Sequence, residues 1–248
     1  FEALLRWQHP QRGFVSPAEF IPIAEDSGLI VPMTQWILQE TCRQMAQWQN
    51  LSQYENLIMS VNISGKYFTE GSLVKDVVKA LDDSKLSPFS LKLEITESTA
   101  MENAEQTIEV LEKLKKIGIQ LSMDDFGTGY SSLSYLHRLQ FDYLKIDRSF
   151  VYNVGENGEN SEILQTIMSL AKNLKMRVIA EGIETENQLL LLQNLGCDYG
   201  QGYLMSKPLQ KDQMEKLLYK KRSWIPFVVT DLETSTVAAD GQENLHIF

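Results

Sequence analysis

Two adjacent acids, Asp124 and Asp125, end an alternating apolar run and are followed by Phe126-Gly127-Thr128-Gly129-Tyr130-Ser131-Ser132. Ile119, Leu121 and Met123 alternate with Gln120, Ser122 and Asp124, which is the period of a strand. Gly127 and Gly129 break that period, and Ser131 suits the cap of a helix beginning near Leu133. Both carboxylates therefore fall at the carboxyl end of a strand, at the root of a glycine-containing loop. Like charges side by side repel unless protons or cations separate them, and a shared divalent metal is the common solution. The plain alternative for an isolated Asp-Asp is a turn in which one Asp caps the next helix. Here the rest of the chain repeats the same design.

Six further strands carry a polar residue late in an apolar run: Glu2, Asn62, Glu94 in Leu-Glu-Ile-Thr-Glu, Lys145 in Leu-Lys-Ile-Asp, Glu181 in Ile-Ala-Glu-Gly and Gln201 in Tyr-Gly-Gln-Gly. Any one of them taken alone could be a lone polar residue on a solvated strand. In register on successive strands of a barrel they would converge with Asp124 and Asp125 at the carboxyl face, where barrel active sites form. Three glutamates, two aspartates and an amide, with no histidine or cysteine, make an all-oxygen set suited to Mg²⁺ or Mn²⁺. Two such ions sharing Asp124 would relieve the repulsion between the acids, and a pair about 4 Å apart is the usual arrangement for cleaving a phosphodiester by in-line attack of water. Arg6 could grip a phosphate oxygen as a fork, and Lys145 could orient the water or stabilise developing charge. No serine, cysteine or histidine nucleophile with its base is visible. An aldolase or lyase using Lys145 as a Schiff base would need that lysine away from acids, which the pattern does not provide.

The elements that must hold these groups alternate. Phe1 to Trp7 reads as a strand with Glu2, Leu4 and Arg6 on one face; a helix runs from Pro17, capped by Ser16, to a stop at Gly28, and a longer one from Pro32 to Asn50. Strands follow at Leu57 to Ser64, Leu91 to Thr96, the run ending at Asp124, Tyr143 to Asp147, Arg177 to Glu181 and Tyr199 to Leu204. Between them the periodicity predicts helices at Gly71 to Asp83, Ala104 to Ile117, Leu133 to Leu139, Ser161 to Leu174, Glu186 to Leu195 and Lys211 to Lys221, with a loop at 153–160. Such alternation implies a parallel sheet, and its length without a repeat implies a barrel, although only seven strands are counted against the eight of a TIM barrel. Residues 223–248 show no clear periodicity and read as a tail or linker after a barrel spanning 1–222.

Composition removes several classes of function. The 248 residues are 43% hydrophobic, enough for a barrel-sized core. A net charge of −10 and a pI near 4.9 disfavour long nucleic acids and anionic membrane surfaces. No apolar run is of membrane-spanning length and no signal-peptide pattern opens the chain, so a cytoplasmic setting is expected, with any membrane attachment carried by another part of a larger protein. Cys42 and Cys197 form no C-x-x-C motif and read as packed thiols; His9, His137 and His246 are not paired at metal-binding spacing.

Together Glu2-Ala3-Leu4-Leu5-Arg6, Val61-Asn62, Glu94 with Glu97, Asp124 through Ser132, Lys145-Ile146-Asp147, Glu181-Gly182-Ile183-Glu184 and Gln201-Gly202 make a specific set, and through it the chain resembles the EAL-domain cyclic di-GMP phosphodiesterases of bacterial signalling, from Phe1 to about Leu209. The resemblance implies a (β/α)8 barrel hydrolysing cyclic di-GMP to linear pGpG. By matching position, Glu2, Asn62, Glu94 and Asp124 would bind one metal and Asp124 with Asp125 the other, Glu181 reaching it through a water. Lys145 and Gln201 would complete the catalytic set, Arg6 would hold a phosphate with Asp147 and Glu184 near the substrate, and Glu97 would anchor the loop after Asp125. The resemblance further implies two Mg²⁺ or Mn²⁺ ions with inhibition by Ca²⁺, a homodimer through the helix after that loop, and a sensory or GGDEF-type domain upstream in a longer chain. The family's first strand normally precedes Phe1, which accounts for the count of seven and marks the barrel as N-terminally truncated. A different class remains open: a silent cyclic di-GMP receptor or scaffold that signals to a neighbouring domain without turnover.

Overall fold

The computed structural model describes residues 1–50, 57–69, 72–128, 133–152, 159–219 and 246–247. The chain enters through β1 (Glu2–Ala3), leaves the sheet for a hairpin of β2 (Trp7–His9) and β3 (Gly13–Val15), and continues into α1 (Pro17–Ser27) and α2 (Ile30–Gln49). There follow β4 (Met59–Ile63), α3 (Gly65–Thr69), α4 (Leu73–Ser84), β5 (Leu91–Thr96), α5 (Glu97–Glu102), α6 (Ala104–Ile117), β6 (Gln120–Phe126) and α7 (Leu133–Leu136). The last part holds β7 (Tyr143–Ile146), α8 (Arg148–Tyr152), α9 (Glu159–Asn173), β8 (Arg177–Ala180), α10 (Glu186–Asn194), β9 (Tyr199–Gly200), α11 (Lys211–Tyr219) and β10 (His246–Ile247).

Eight strands form one parallel sheet in the order β1-β4-β5-β6-β7-β8-β9-β10, the curled arrangement of a (β/α)8 barrel with the hairpin β2-β3 outside it. The middle strands are buried on both faces, as parallel strands covered by helices must be; Leu91, Leu93 and Ile95 are 0% exposed, and so are Leu121 and Met123. Each covering helix turns one stripe inward. In α4 the buried residues Leu73, Val77, Ala80 and Leu81 recur at the spacing of one helical face.

The expected order of elements holds, with differences at the edges. The first strand stops at Ala3, so Leu4 and Arg6 do not continue its face. The last central strand ends at Gly200 rather than Leu204, and the helix after the Asp-Asp loop covers only Leu133–Leu136. Leu136 and Leu139, in the stretch through which the resemblance implies a homodimer, are 1% and 0% exposed and belong to the core. Of the segment expected to be a tail, residues 246–247 pair in parallel with Tyr199–Gly200; the rest of 223–248, the 153–158 part of the predicted loop and Gly129 to Ser132 lie outside the described residues. Among the described residues no helix is long and apolar enough to cross a membrane.

Candidate active site

Sheet register sets the heights of the polar groups. Asn62 pairs with Glu94 and Thr96 with Asp124 along the ladders, while Lys145, Glu181 and Gln201 stand at or just beyond the ends of their strands. At the centre is the Lys145 ammonium, 1% exposed, which reaches Glu94 at 2.5 Å, Glu181 at 2.6 Å and Asp124 at 3.1 Å. Glu2 completes the ring: its carboxylate accepts from the Asn62 amide at 2.7 Å and from the Gln201 amide at 2.6 Å. The second of these bonds joins the first strand to the segment after the ninth, across a seam that no backbone ladder bridges among the described residues.

Asp125 needs a separate account, because successive residues of a regular strand point to opposite faces. The β6–β7 register shifts between Met123 and Phe126, and Asp125 takes a left-handed φ of 54°. This bulge turns Asp125 back to the side of Asp124, where it senses Asp124, Asp147, Lys145 and Glu2. Its backbone N–H donates to the Asp124 carboxylate at 3.0 Å, and the Thr128 hydroxyl donates to its carbonyl at 2.8 Å. Glu97, 2% exposed, accepts from the Gly127 N–H at 2.8 Å and so ties the loop to the start of α5. Gly127 has φ 95°, and a Cβ there would lie 2.8 Å from the Phe150 ring. Only glycine lets the loop pass that ring in this conformation.

The electrostatics follow from burial working against a single central cation. Burial pushes Glu94 above the usual carboxylate range; Lys145 pulls it down, but Glu2 and Asp124 add to the rise. Glu181 is raised to about 7 by burial, with Lys145 opposing and Asp124 reinforcing. Burial, Asp124 and Asp147 also raise Asp125. For Glu2 burial is outweighed by Lys145 and the two amides, so it sits below its ordinary value. Burial alone would neutralise Lys145, yet Glu94, Glu181, Glu2 and Asp124 together hold it well above the usual lysine value. The cluster is an acid-rich cage with too little positive charge for its carboxylates.

The cage opens into a cleft of about 930 Å³. Arg6 and Glu184 line it, and so do Arg148, Tyr203 and Lys207, which sequence reasoning missed. Arg6 is exposed and donates to the carbonyl of Leu5. Asp147 accepts from the Ser149 N–H at 2.9 Å, which caps the start of α8 and helps hold the acid below its ordinary value against burial. Arg148 follows directly on Lys145-Ile146-Asp147, and Lys207 lies over the Tyr203 ring at 5.6 Å, so a closer look at the residues flanking the two strand-end motifs could have found them.

Among the described residues, no three acidic or imidazole side chains are already gathered tightly enough to hold an ion as they stand. The donor chemistry nevertheless fits a hard divalent cation: carboxylates of Glu2, Glu94, Asp124 and Asp125 and the free carbonyl side of the Asn62 amide, without nitrogen or sulfur ligands. The Lys145 ammonium occupies the position between two of those carboxylates, Glu94 and Asp124, and that of Glu181. It is their counter-cation in this arrangement.

A family model described as the EAL domain matches residues 1–208. The chain is 44% identical over 213 residues to the bifunctional diguanylate cyclase/cyclic di-GMP phosphodiesterase MucR of Pseudomonas aeruginosa, covering 86% of this chain and 31% of that protein. It is 43% identical over 217 residues to the cyclic di-GMP phosphodiesterase NbdA of the same organism, covering 88% of this chain and 28% of that protein. The chain thus spans about a third of the length of these curated relatives. Among solved structures, a MucR phosphodiesterase in complex with c-di-GMP superposes with a TM-score of 0.83 at 44% identity, over 86% of each chain.

Proposed function

The chain belongs to the EAL domain family, and on that premise we propose that it hydrolyses one phosphodiester bond of cyclic di-GMP, giving linear pGpG, with two Mg²⁺ or Mn²⁺ ions. The observation that carries the reading is the convergence of Glu94, Asp124 and Glu181 on Lys145, with the Glu2 charge beside them, next to a cleft that Arg6, Arg148 and Lys207 line. A carboxylate cage alone would repel a phosphodiester; cations at the rim and in the cage make the same cleft attractive to it.

In this reading Glu2, Asn62, Glu94 and Asp124 would hold one ion, and Asp124 with Asp125 would hold the other. When bound, the ions would make a water acidic enough to attack and would neutralise charge on the phosphate. For Glu94 and Asp124 to serve as ligands Lys145 would have to release them, and its ammonium would then be free to stabilise charge developing on the phosphate oxygens. Glu181, raised to about 7, is suited to accept a proton from the attacking water. Gln201 orients that water through its amide while remaining fixed to Glu2. Arg6 and Arg148 offer planar forks to phosphate oxygens, and the exposed Tyr203 ring offers a face for a guanine base.

Incubation with cyclic di-GMP and Mg²⁺ followed by chromatography tests the reading. Linear pGpG is the expected product, its formation stopping in excess chelator and falling when Ca²⁺ replaces Mg²⁺, because Ca²⁺ prefers more ligands at longer distances. Binding of the dinucleotide without turnover under Mg²⁺ or Mn²⁺ would establish the receptor reading instead. Full turnover in chelator would remove the metals from the scheme.

A further inference from the structure

Five of the site residues stand two positions after another residue of the same sheet face, one storey lower in the interior: Ser60 below Asn62, Lys92 below Glu94, Ser122 below Asp124, Tyr143 below Lys145 and Tyr199 below Gln201. One residue of this lower storey is charged. Lys92 is 0% exposed, and its ammonium lies 3.7 Å from the centre of the Tyr143 ring. The Tyr143 and Tyr199 rings are 5.8 Å apart, and the Tyr199 hydroxyl accepts from Arg177 at 2.7 Å. Nothing in the reaction described above uses this lysine.

Burying an ammonium is costly, and an apolar side chain of similar length would fill the same space without that cost. The charges around it are mixed: Glu94 and Asp142 attract the Lys92 ammonium, while Lys145 and Arg177 repel it. Its ammonium stands over the face of the Tyr143 ring, a position that favours a cation, on the residue two places before Glu94 on the same strand face. A cation so placed has opposite effects on the two states of the cage. Without ions it offsets the mutual repulsion of the acids, and with ions it repels them.

We propose that Lys92 is a built-in counter-cation of the carboxylate cage, which steadies the ion-free cage and lowers its affinity for divalent metal. The inference rests on the reading of the cage as a metal site. A unit charge 7–9 Å from a divalent ion changes affinity about fivefold even with the screening of bulk water, and more at lower dielectric. The sign separates this role from packing: loosening the floor under Glu94 would weaken binding, whereas removing a repelling charge tightens it.

The experiment is titration of Mn²⁺ into the protein at pH 7 without nucleotide, following the free-ion electron paramagnetic resonance signal, for wild type, Lys92→Met and Lys92→Gln. Two neutral replacements guard against one failing to fold, and thermal melts identify the folded variant. The expected result is binding about fivefold tighter or more than wild type, together with a larger rise in melting temperature at a fixed Mn²⁺ concentration. Unchanged or weaker binding by a folded variant overturns the role of Lys92 and leaves the metal site standing. Failure of wild type to take up Mn²⁺ overturns both.

Discussion

Replacing Lys145 with methionine tests the electrostatic account of the cage most directly, because one side chain of similar length is removed and three carboxylates lose their shared partner. The contacts at 2.5, 2.6 and 3.1 Å are formed by an ammonium 1% exposed, so solvent screens them little. Removing one partner of a buried ion pair costs about 3–5 kcal/mol, because the other charge stays behind. Protonation relieves that cost to a degree set by pH. Glu94 and Glu181 have raised pKa values in the folded protein, so the stability they contribute is fully present below the ordinary carboxylate value and is lost as pH rises through the raised one, about 7 for Glu181. Without Lys145 both rise further. At pH 5.5 the variant keeps the Glu181 carboxyl protonated and escapes part of that cost, whereas at pH 8 it must either leave the charge unpaired or draw a proton from a solution poor in them. For a domain of this size about 1 kcal/mol corresponds to roughly 2–4 °C. The metal-free variant should therefore melt about 6–20 °C below wild type at pH 8 and by less than half that difference at pH 5.5. Saturating Mg²⁺ should restore part of the loss at pH 8, and turnover should stay low because the ammonium is missing. Scanning calorimetry in chelator at the two pH values supplies the measurement. A variant as stable as wild type at pH 8, or one destabilised equally at both, would refute the balance of charges described here.

Three further predictions concern the loop and the frame. Glu97→Ala leaves the Gly127 N–H without its acceptor and should cost about 1–3 kcal/mol; it should also raise the Mg²⁺ concentration needed for half-maximal turnover, and an unaltered metal dependence would make the loop a mere connector. Gly127→Ala brings a Cβ within 2.8 Å of the Phe150 ring at φ 95°, so hydrogen exchange of the loop amides should speed up while β5 amides stay protected; equal protection would show that the loop absorbs the methyl group. Asp76→Leu strips the acceptor from the buried Tyr67 hydroxyl and from the Gln35 amide, 2.6 and 3.0 Å away, and should lower stability by about 1–3 kcal/mol without touching the cage. Burial raises Asp76, but those bonds outweigh it and leave its pKa lowered; its contribution is present above the ordinary aspartate value and lost as pH falls through the lowered one, so the variant should show a flatter acid limb in its melting profile.

Much of the frame was readable from the chain because of contrast. Leu91–Thr96 and Ala104–Ile117 were placed to the residue, since a carboxylate in a strand that is apolar on both faces, or a clean helical stripe ending at Gly118, stands out from its surroundings. The site residues were legible for the same reason. Short elements gave no such contrast: α3, α5 and α8 each span five or six residues, too few for any period to show, and the β2–β3 hairpin has three residues a side. Lys92 is not legible in the sequence, because a lysine near a strand start reads as solvent-facing until the partners on neighbouring strands are known.

The least legible feature is the one on which the two-ion reading depends. Alternation placed Asp124 on the inner face and, taken strictly, would have sent Asp125 outward; only the bulge and the left-handed turn at Asp125 bring both acids to one side. A non-glycine residue in that conformation costs on the order of 1–3 kcal/mol and persists where its surroundings over-determine it. Here the surroundings are specific: Asp124 receives the Asp125 N–H, Thr128 donates to the Asp125 carbonyl, and Glu97 holds Gly127 against the Phe150 ring. Three hydrogen bonds of about 1 kcal/mol each are comparable with the strain they hold. The bonds and the strain are close enough in size that loss of the Glu97 bond should loosen the turn at Asp125. If the proposed second ion binds through Asp124 and Asp125, Glu97→Ala should weaken its uptake although Glu97 is assigned to neither ion, and unaltered metal uptake would refute this step.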